Sequence, residues 1–225
     1  MKITFGLIAE GPTDQIIIED ILYGWFGEDV VDDVRYLQPE IDRDGGWGKV
    51  FNYCRSSDFR QSFQTNDYLI IQVDTDVSEE KGFEVSHRDE KGNIFSPEIL
   101  IENVKVKLIN LIGTDFYQEN SKRIIFAISV HSMECWLLPL YYQDNNKEKI
   151  ERCFTLLGRK INELQHQKKI RFYFDLTNKV KSLDNYRKIS CQYSKKKTLL
   201  NHSPENHSFK IFIEDLQSRN IPIND

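Results

Sequence analysis

The chain has 225 residues, with 30 Lys and Arg against 35 Asp and Glu for a net charge of −5, and 40% of it is hydrophobic. That is enough apolar material for one sizeable core, which excludes disorder as the default state, and no stretch approaches the roughly 20 apolar residues of a membrane span. The N-terminal MKITFGLIAEG has the length and alternation of a strand rather than of a signal peptide, so a cytoplasmic location is expected.

In chain order, Ile3 to Ala9 is a short apolar run stopped by Glu10-Gly11-Pro12. A helix is expected next, with Ile18, Ile21, Leu22, Trp25 and Phe26 on its apolar face. Val34 to Leu37 alternates like a strand and ends at Pro39. Gly45-Gly46-Trp47-Gly48 breaks the chain before a helix over Lys49 to Ser56. Tyr68 to Val73 reads as a buried strand running into Asp74-Thr75-Asp76, and the polar stretch Val77 to Asn93 as an exposed loop or lid.

Ser96-Pro97-Glu98 is a helix start, with Ser as the cap and Pro in the first turn. Arg123 to Val130 is a further buried strand, after which Ser132 to Leu138 begins a helix. The alternation of strand and helix predicts an α/β fold with a parallel sheet flanked by helices. The expected division is a sheet-bearing unit over residues 1–140 and a mainly helical, basic C-terminal region over 141–225 packed on it. A second start signal, Ser203-Pro204-Glu205, opens the last helix, whose apolar face is Phe209, Phe212, Ile213 and Leu216. That face is the ground for expecting a homodimer.

Cys54, Cys135, Cys153 and Cys191 are scattered, with no C-x-x-C pair, and are expected to be buried thiols rather than a zinc site or a disulfide framework. Charge is uneven along the chain. Arg159 to Lys197 holds 12 Lys and Arg against 3 Asp and Glu, which leaves an acidic body with one basic segment. Such a run is either a solvated helical face or the footprint of a nucleic-acid partner. Within it Phe172, Tyr173 and Phe174 interleave aromatics with the basic residues, though they also alternate like a strand.

Ligands of open parallel sheets bind beyond the carboxyl ends of the strands, and Glu10, Asp74 and Asp76 sit at such ends. In extended backbone Asp74 and Asp76 point the same way, so both can face one ion. Carboxylates gathered on one rim repel unless a cation lies among them, and oxygen ligands without Cys or His select Mg²⁺ or Mn²⁺. Asp14 is read as serving the positive end of its own helix, with a role at the metal, direct or through a ligand, as the other reading. His131 and Trp47 are read as core residues, His131 with proton carriage and Trp47 with base or sugar stacking as the other readings.

Apolar strand, Glu10-Gly11-x-Thr13-Asp14, then a hydrophobic strand into Asp74-x-Asp76 resembles the Toprim domain over roughly the first 140 residues. With DGGWGKV and HSMECWLLP added, the set is similar to small stand-alone Toprim-like proteins of bacterial and phage-defence contexts, and to the nucleases of the OLD family. The resemblance implies a Mg²⁺-dependent nuclease in which Glu10 acts in acid/base catalysis or shares the metal, and Asp74 and Asp76 coordinate it. Glu134 in HSMECW would complete a two-metal site, and a lysine C-terminal to the Toprim core would meet the phosphate, with Lys196 standing for the run Lys195 to Lys197. Expected partners are RNA, including tRNA, or DNA, with a regulatory ATPase and an antiviral or toxin role. The competing expectations are a non-catalytic Toprim module binding nucleic acid or a partner protein, and phosphoryl transfer on a small nucleotide, which lacks its phosphate loop here.

Overall fold

The structure is a computed structural model and describes residues 2–40, 42–178, 181–219 and 221. Lys179, counted in the basic segment, lies outside the described residues.

The elements run β1 (Ile3–Ile8), α1 (Pro12–Phe26), β2 (Val31–Gln38), α2 (Trp47–Arg55), α3 (Ser57–Gln61), β3 (Tyr68–Asp74), α4 (Pro97–Ile112), α5 (Thr114–Asn120), β4 (Ile124–Ser129) and α6 (Glu134–Leu137). The last third adds α7 (Cys153–His166), α8 (Leu183–Ser190), α9 (Lys196–His202) and α10 (His207–Ser218). The four strands form one parallel sheet in the order β2-β1-β3-β4, so the expected α/β class holds. After β2 the chain crosses to the other side of β1, and the crevice where strand order reverses lies at the carboxyl ends of β1 and β3.

Period-two alternation sends neighbouring side chains to opposite faces of the sheet. Phe5 and Leu7 of β1, Ile70 of β3, and Ile125 and Ala127 of β4 enter one apolar cluster with α1 and most of the C-terminal third. Leu69, Ile71 and Val73 of β3, with Ile124, Phe126 and Ile128 of β4, enter the other with α2 and α4. Helices therefore cover both faces, and the C-terminal third shares its core with β1 and α1.

Several expectations change at the level of contacts. Helix α10 begins at His207 rather than at Ser203, because the Asn206 side chain accepts the Phe209 N–H at 3.1 Å, and Ser203–Glu205 is a 3₁₀ turn before it. Its apolar residues Phe209, Phe212, Ile213 and Leu216 are all buried, with Phe209 and Phe212 stacked on Trp136 at 4.9 and 5.3 Å, so that face is spent inside the chain. Cys135 and Cys153 form a disulfide that ties α6 to α7, Cys54 alone is a buried free thiol, and Cys191 is exposed.

The Val77–Asn93 stretch is a surface loop, but Phe83 and Val85 anchor it in the core. Phe172–Phe174 forms no strand: Phe174 is buried and Tyr173 is 57% exposed. No helix among the described residues is long and apolar enough to cross a membrane.

Candidate functional site

At the β1 and β3 ends the backbone itself builds the site. Glu10 follows β1, and its Oε1 accepts the Asp74 backbone N–H at 2.7 Å. Gln72, inside β3, reaches both neighbours: its side-chain oxygen accepts the Glu10 N–H at 3.0 Å, and its amide donates to Asp74 Oδ1 at 2.8 Å. Ser129 at the end of β4 donates to the same oxygen at 2.5 Å. The glycines of DGGWGKV hold Glu10 from outside. Gly46 N–H donates to the Glu10 carbonyl at 2.6 Å, and a Cβ on Gly45 would lie 1.7 Å from that oxygen, so only glycine allows the approach.

Strand β3 ends at Asp74, so Asp76 sits in the turn beyond it and does not follow the extended alternation expected from D-x-D. The turn is fixed instead by the β4 end: Thr75 and Asp76 N–H groups donate to the His131 carbonyl at 3.0 and 3.1 Å, and His131 N–H donates to Thr75 Oγ1 at 2.8 Å. His131 takes a left-handed backbone, φ 65°, to make this double contact. Trp47 packs edge-on against Phe51 at 5.3 Å and beside Phe83, the core role expected of it.

Asp14 is more than a helix-end charge. It is 2% exposed, its Oδ1 has no hydrogen-bond partner among the described residues, and it lines a cleft of about 400 Å³ with Glu10, Asp74, Lys181 and Leu183. Glu134, 1% exposed at the start of α6, accepts a hydrogen bond from the Tyr186 hydroxyl at 2.5 Å and pairs with the Lys181 ammonium at 2.7 Å. Helix α6 has four residues and owes its place to Trp136, whose indole N–H donates to Ser208 at 2.8 Å, and to the disulfide at Cys135.

Lys196 lies elsewhere, with its ammonium 5.4 Å from the Trp25 ring centroid. The lysine brought to the acidic rim is Lys181, which precedes α8. Sequence reading missed Lys181, Tyr186, Gln72 and the burial of Asp14. Of these, only Gln72 carries a local signal, a lone amide in an otherwise apolar strand.

The electrostatics follow from burial. Desolvation raises Glu10 to about 8, with Asp14 and Asp76 adding repulsion against the Asp74 N–H, and it raises Asp14 to about 6 against Lys181. Asp74 is pushed well above the ordinary carboxylate range by desolvation and by Asp14 and Glu10. Asp76 is raised by desolvation, opposed by His131 and Lys181. Glu134 behaves oppositely: burial works against its charge, but Lys181, Tyr186 and Ser132 hold it below the usual value. Lys181 is held above the usual lysine range by Asp14, Glu134 and Asp74, although burial opposes its charge.

The rim is thus rich in carboxylate oxygens and short of positive charge. Its carboxylate atoms are hard oxygens, the donor type of Mg²⁺ or Mn²⁺, and Asp14 Oδ1 is a buried acceptor without a donor among the described residues. Among the described residues, no three His, Cys, Asp or Glu side chains close into a finished ion cage. A larger groove of about 500 Å³ between α4 and the loop around Arg88 and Asp89 gathers no comparable set of buried charges. Compared with protein-family models, with curated proteins and with solved structures, the chain matches none.

Proposed function

We propose that the chain is a nuclease dependent on Mg²⁺ or Mn²⁺, with the ion held by Glu10, Asp14, Asp74 and Asp76. The observation that carries this reading is a set of carboxylates at the sheet's switch point, Asp14 and Asp74 buried, Glu10 half-buried and Asp76 exposed, whose charges are under-compensated and one of whose oxygens, Asp14 Oδ1, has no hydrogen-bond partner among the described residues. Bound there, such an ion supplies Lewis-acid activation of a phosphodiester and a water made acidic enough to attack it.

The chain's own residues do the rest. Gln72 and Ser129 fix Asp74, while the Gly45-Gly46 backbone and the Asp74 N–H fix Glu10, so the two carboxylates share one rigid frame. Service in acid/base catalysis is the alternative to Glu10 sharing the ion. Lys181 lines the cleft and takes the phosphate-facing role that the sequence resemblance assigns to a lysine C-terminal to the Toprim core. Glu134 and Tyr186 hold that lysine in place. The basic segment supplies a backbone clamp for RNA, including tRNA, or DNA. The resemblance to small Toprim-like proteins supports a defence or toxin role in the cytoplasm, under an ATPase partner.

The test is cleavage of total cellular RNA, plasmid DNA and linear DNA with Mg²⁺, Mn²⁺ or EDTA, beside Glu10→Gln and Asp74→Asn. Metal-dependent cutting lost in both variants supports the nuclease, and the pool that shortens gives the substrate class. The second reading, a non-catalytic module that binds nucleic acid or a partner protein, draws on Lys181 lying at the carboxylates. It predicts binding at low salt with no cutting by any form.

A further inference from the structure

Lys181 bears electrostatically on all five carboxylates of the rim, Glu10, Asp14, Asp74, Asp76 and Glu134. Its ammonium lies 2.7 Å from Glu134 Oε1, on a side chain still 37% exposed at the cleft that Glu10, Asp14 and Asp74 also line. An ammonium carries one charge and three donors, and a divalent ion carries two charges and gathers about six oxygens. The smaller charge leaves a remainder that is visible in the geometry. Asp14 Oδ1, fully buried, has no hydrogen-bond partner among the described residues.

Glu134, by contrast, does not depend on the lysine alone. The Tyr186 hydroxyl donates to it at 2.5 Å, so its charge keeps a donor if the ammonium leaves. Lys181 is tethered by a flexible four-carbon stem with one side open to the cleft, and it can leave without moving a helix.

We propose that Lys181 is a resident counterion of the acidic rim which a divalent cation displaces, freeing its ammonium for a substrate phosphate. The inference rests on the metal-dependent reading of the site and deepens it, since Lys181 then makes cation binding and phosphate binding mutually dependent. Two cations among the same oxygens repel, so the lysine lowers metal affinity in the free protein. Once displaced, it raises affinity for the phosphate.

The experiment is a Mn²⁺ titration followed by electron paramagnetic resonance without nucleic acid, on wild type, Lys181→Met, Lys181→Arg and Asp74→Asn, each first shown to melt cooperatively. Lys181→Met is expected to bind Mn²⁺ about tenfold tighter than wild type, Lys181→Arg no tighter, and Asp74→Asn far more weakly. A second measurement needs no variant: acylation of Lys181 in the wild-type protein, read by peptide mass spectrometry, is expected to speed up as Mn²⁺ is added. Lys181→Met binding no tighter than wild type, or Mn²⁺ shielding Lys181 from acylation, overturns the proposal while leaving the metal site standing if Asp74→Asn still loses the ion. No Mn²⁺ binding by any form, or equal binding by Asp74→Asn, overturns both. If Lys181→Met does not fold, the acylation result decides.

Discussion

Asp74 and Glu134 are both almost fully buried, at 7% and 1% exposure, and the two ends of the site treat them in opposite ways. Asp74 is satisfied by an amide and a hydroxyl, Gln72 and Ser129, and its carboxyl is driven up towards the neutral form. Glu134 is satisfied by a hydroxyl and an ammonium, and it is held charged. Hydrogen-bond satisfaction and charge compensation are separate requirements in a low-dielectric interior. The β3 end meets the first and leaves the second open, which is the condition for taking up a cation. The α6 end meets both, and is therefore a support.

The largest break in this contrast comes at Glu134. Glu134→Leu leaves Lys181 without its nearest partner and Tyr186 without an acceptor, and is expected to cost about 3 to 5 kcal/mol in urea unfolding. Lys181→Met added to it should recover none of that loss, because the lysine also compensates Asp14 and Asp74, as a double-mutant cycle would show.

Next, Asp74→Asn keeps an oxygen for Gln72 and Ser129 but removes the uncompensated charge. It is expected to raise metal-free stability by about 1 kcal/mol in the same unfolding measurement while abolishing metal-dependent cleavage, the reverse of what a purely structural aspartate would give.

The pH dependence separates the two ends further. Glu10 has a folded value of about 8 against an ordinary 4.5, so its protonated form favours the fold. Its stabilising contribution is complete below about pH 4.5 and is lost as pH rises towards about 8. Glu134, held low, contributes above its ordinary value and loses that contribution as pH falls through its folded one. Melting curves in EDTA should therefore peak in mildly acidic solution and fall towards about pH 8, and Mg²⁺ should lift the alkaline side most. The smallest effect is expected at Lys196. Lys196→Ala removes a cation over the Trp25 ring, costs about 0.5 to 1 kcal/mol or less, and leaves cleavage within a few-fold of wild type.

What the sequence made legible follows the reach of its signals. Strands such as Tyr68–Asp74, the Gly11-Pro12 stop and the Ser96 cap are written within a few residues, and each appears where expected. Glu10 and Asp74 are legible because a parallel sheet gathers strand ends. Asp14 stands in the first turn of α1 as expected, but its burial is not legible in the sequence, because it depends on elements far along the chain. Lys181 had no local mark at all: it is one lysine among many in a basic run, and only the packing of α8 against α1 singles it out. The Ser203-Pro204-Glu205 start failed because Asn206, three residues on, is the cap the helix uses.

The packing of α8 on α1 also has a consequence for how the molecule comes into being. Asp20 of α1 accepts hydrogen bonds from Ser190 and Ser194, contacts that span 170 and 174 residues, and the Lys181–Glu134 pair joins the last third to the sheet. A chain still emerging from the ribosome can pair β1 with β3 and bring its carboxylates together, but it lacks the counterion and the helices that shelter them until Lys181 and α8 have been made. A chain made only as far as α7 therefore carries an acidic rim without its lysine.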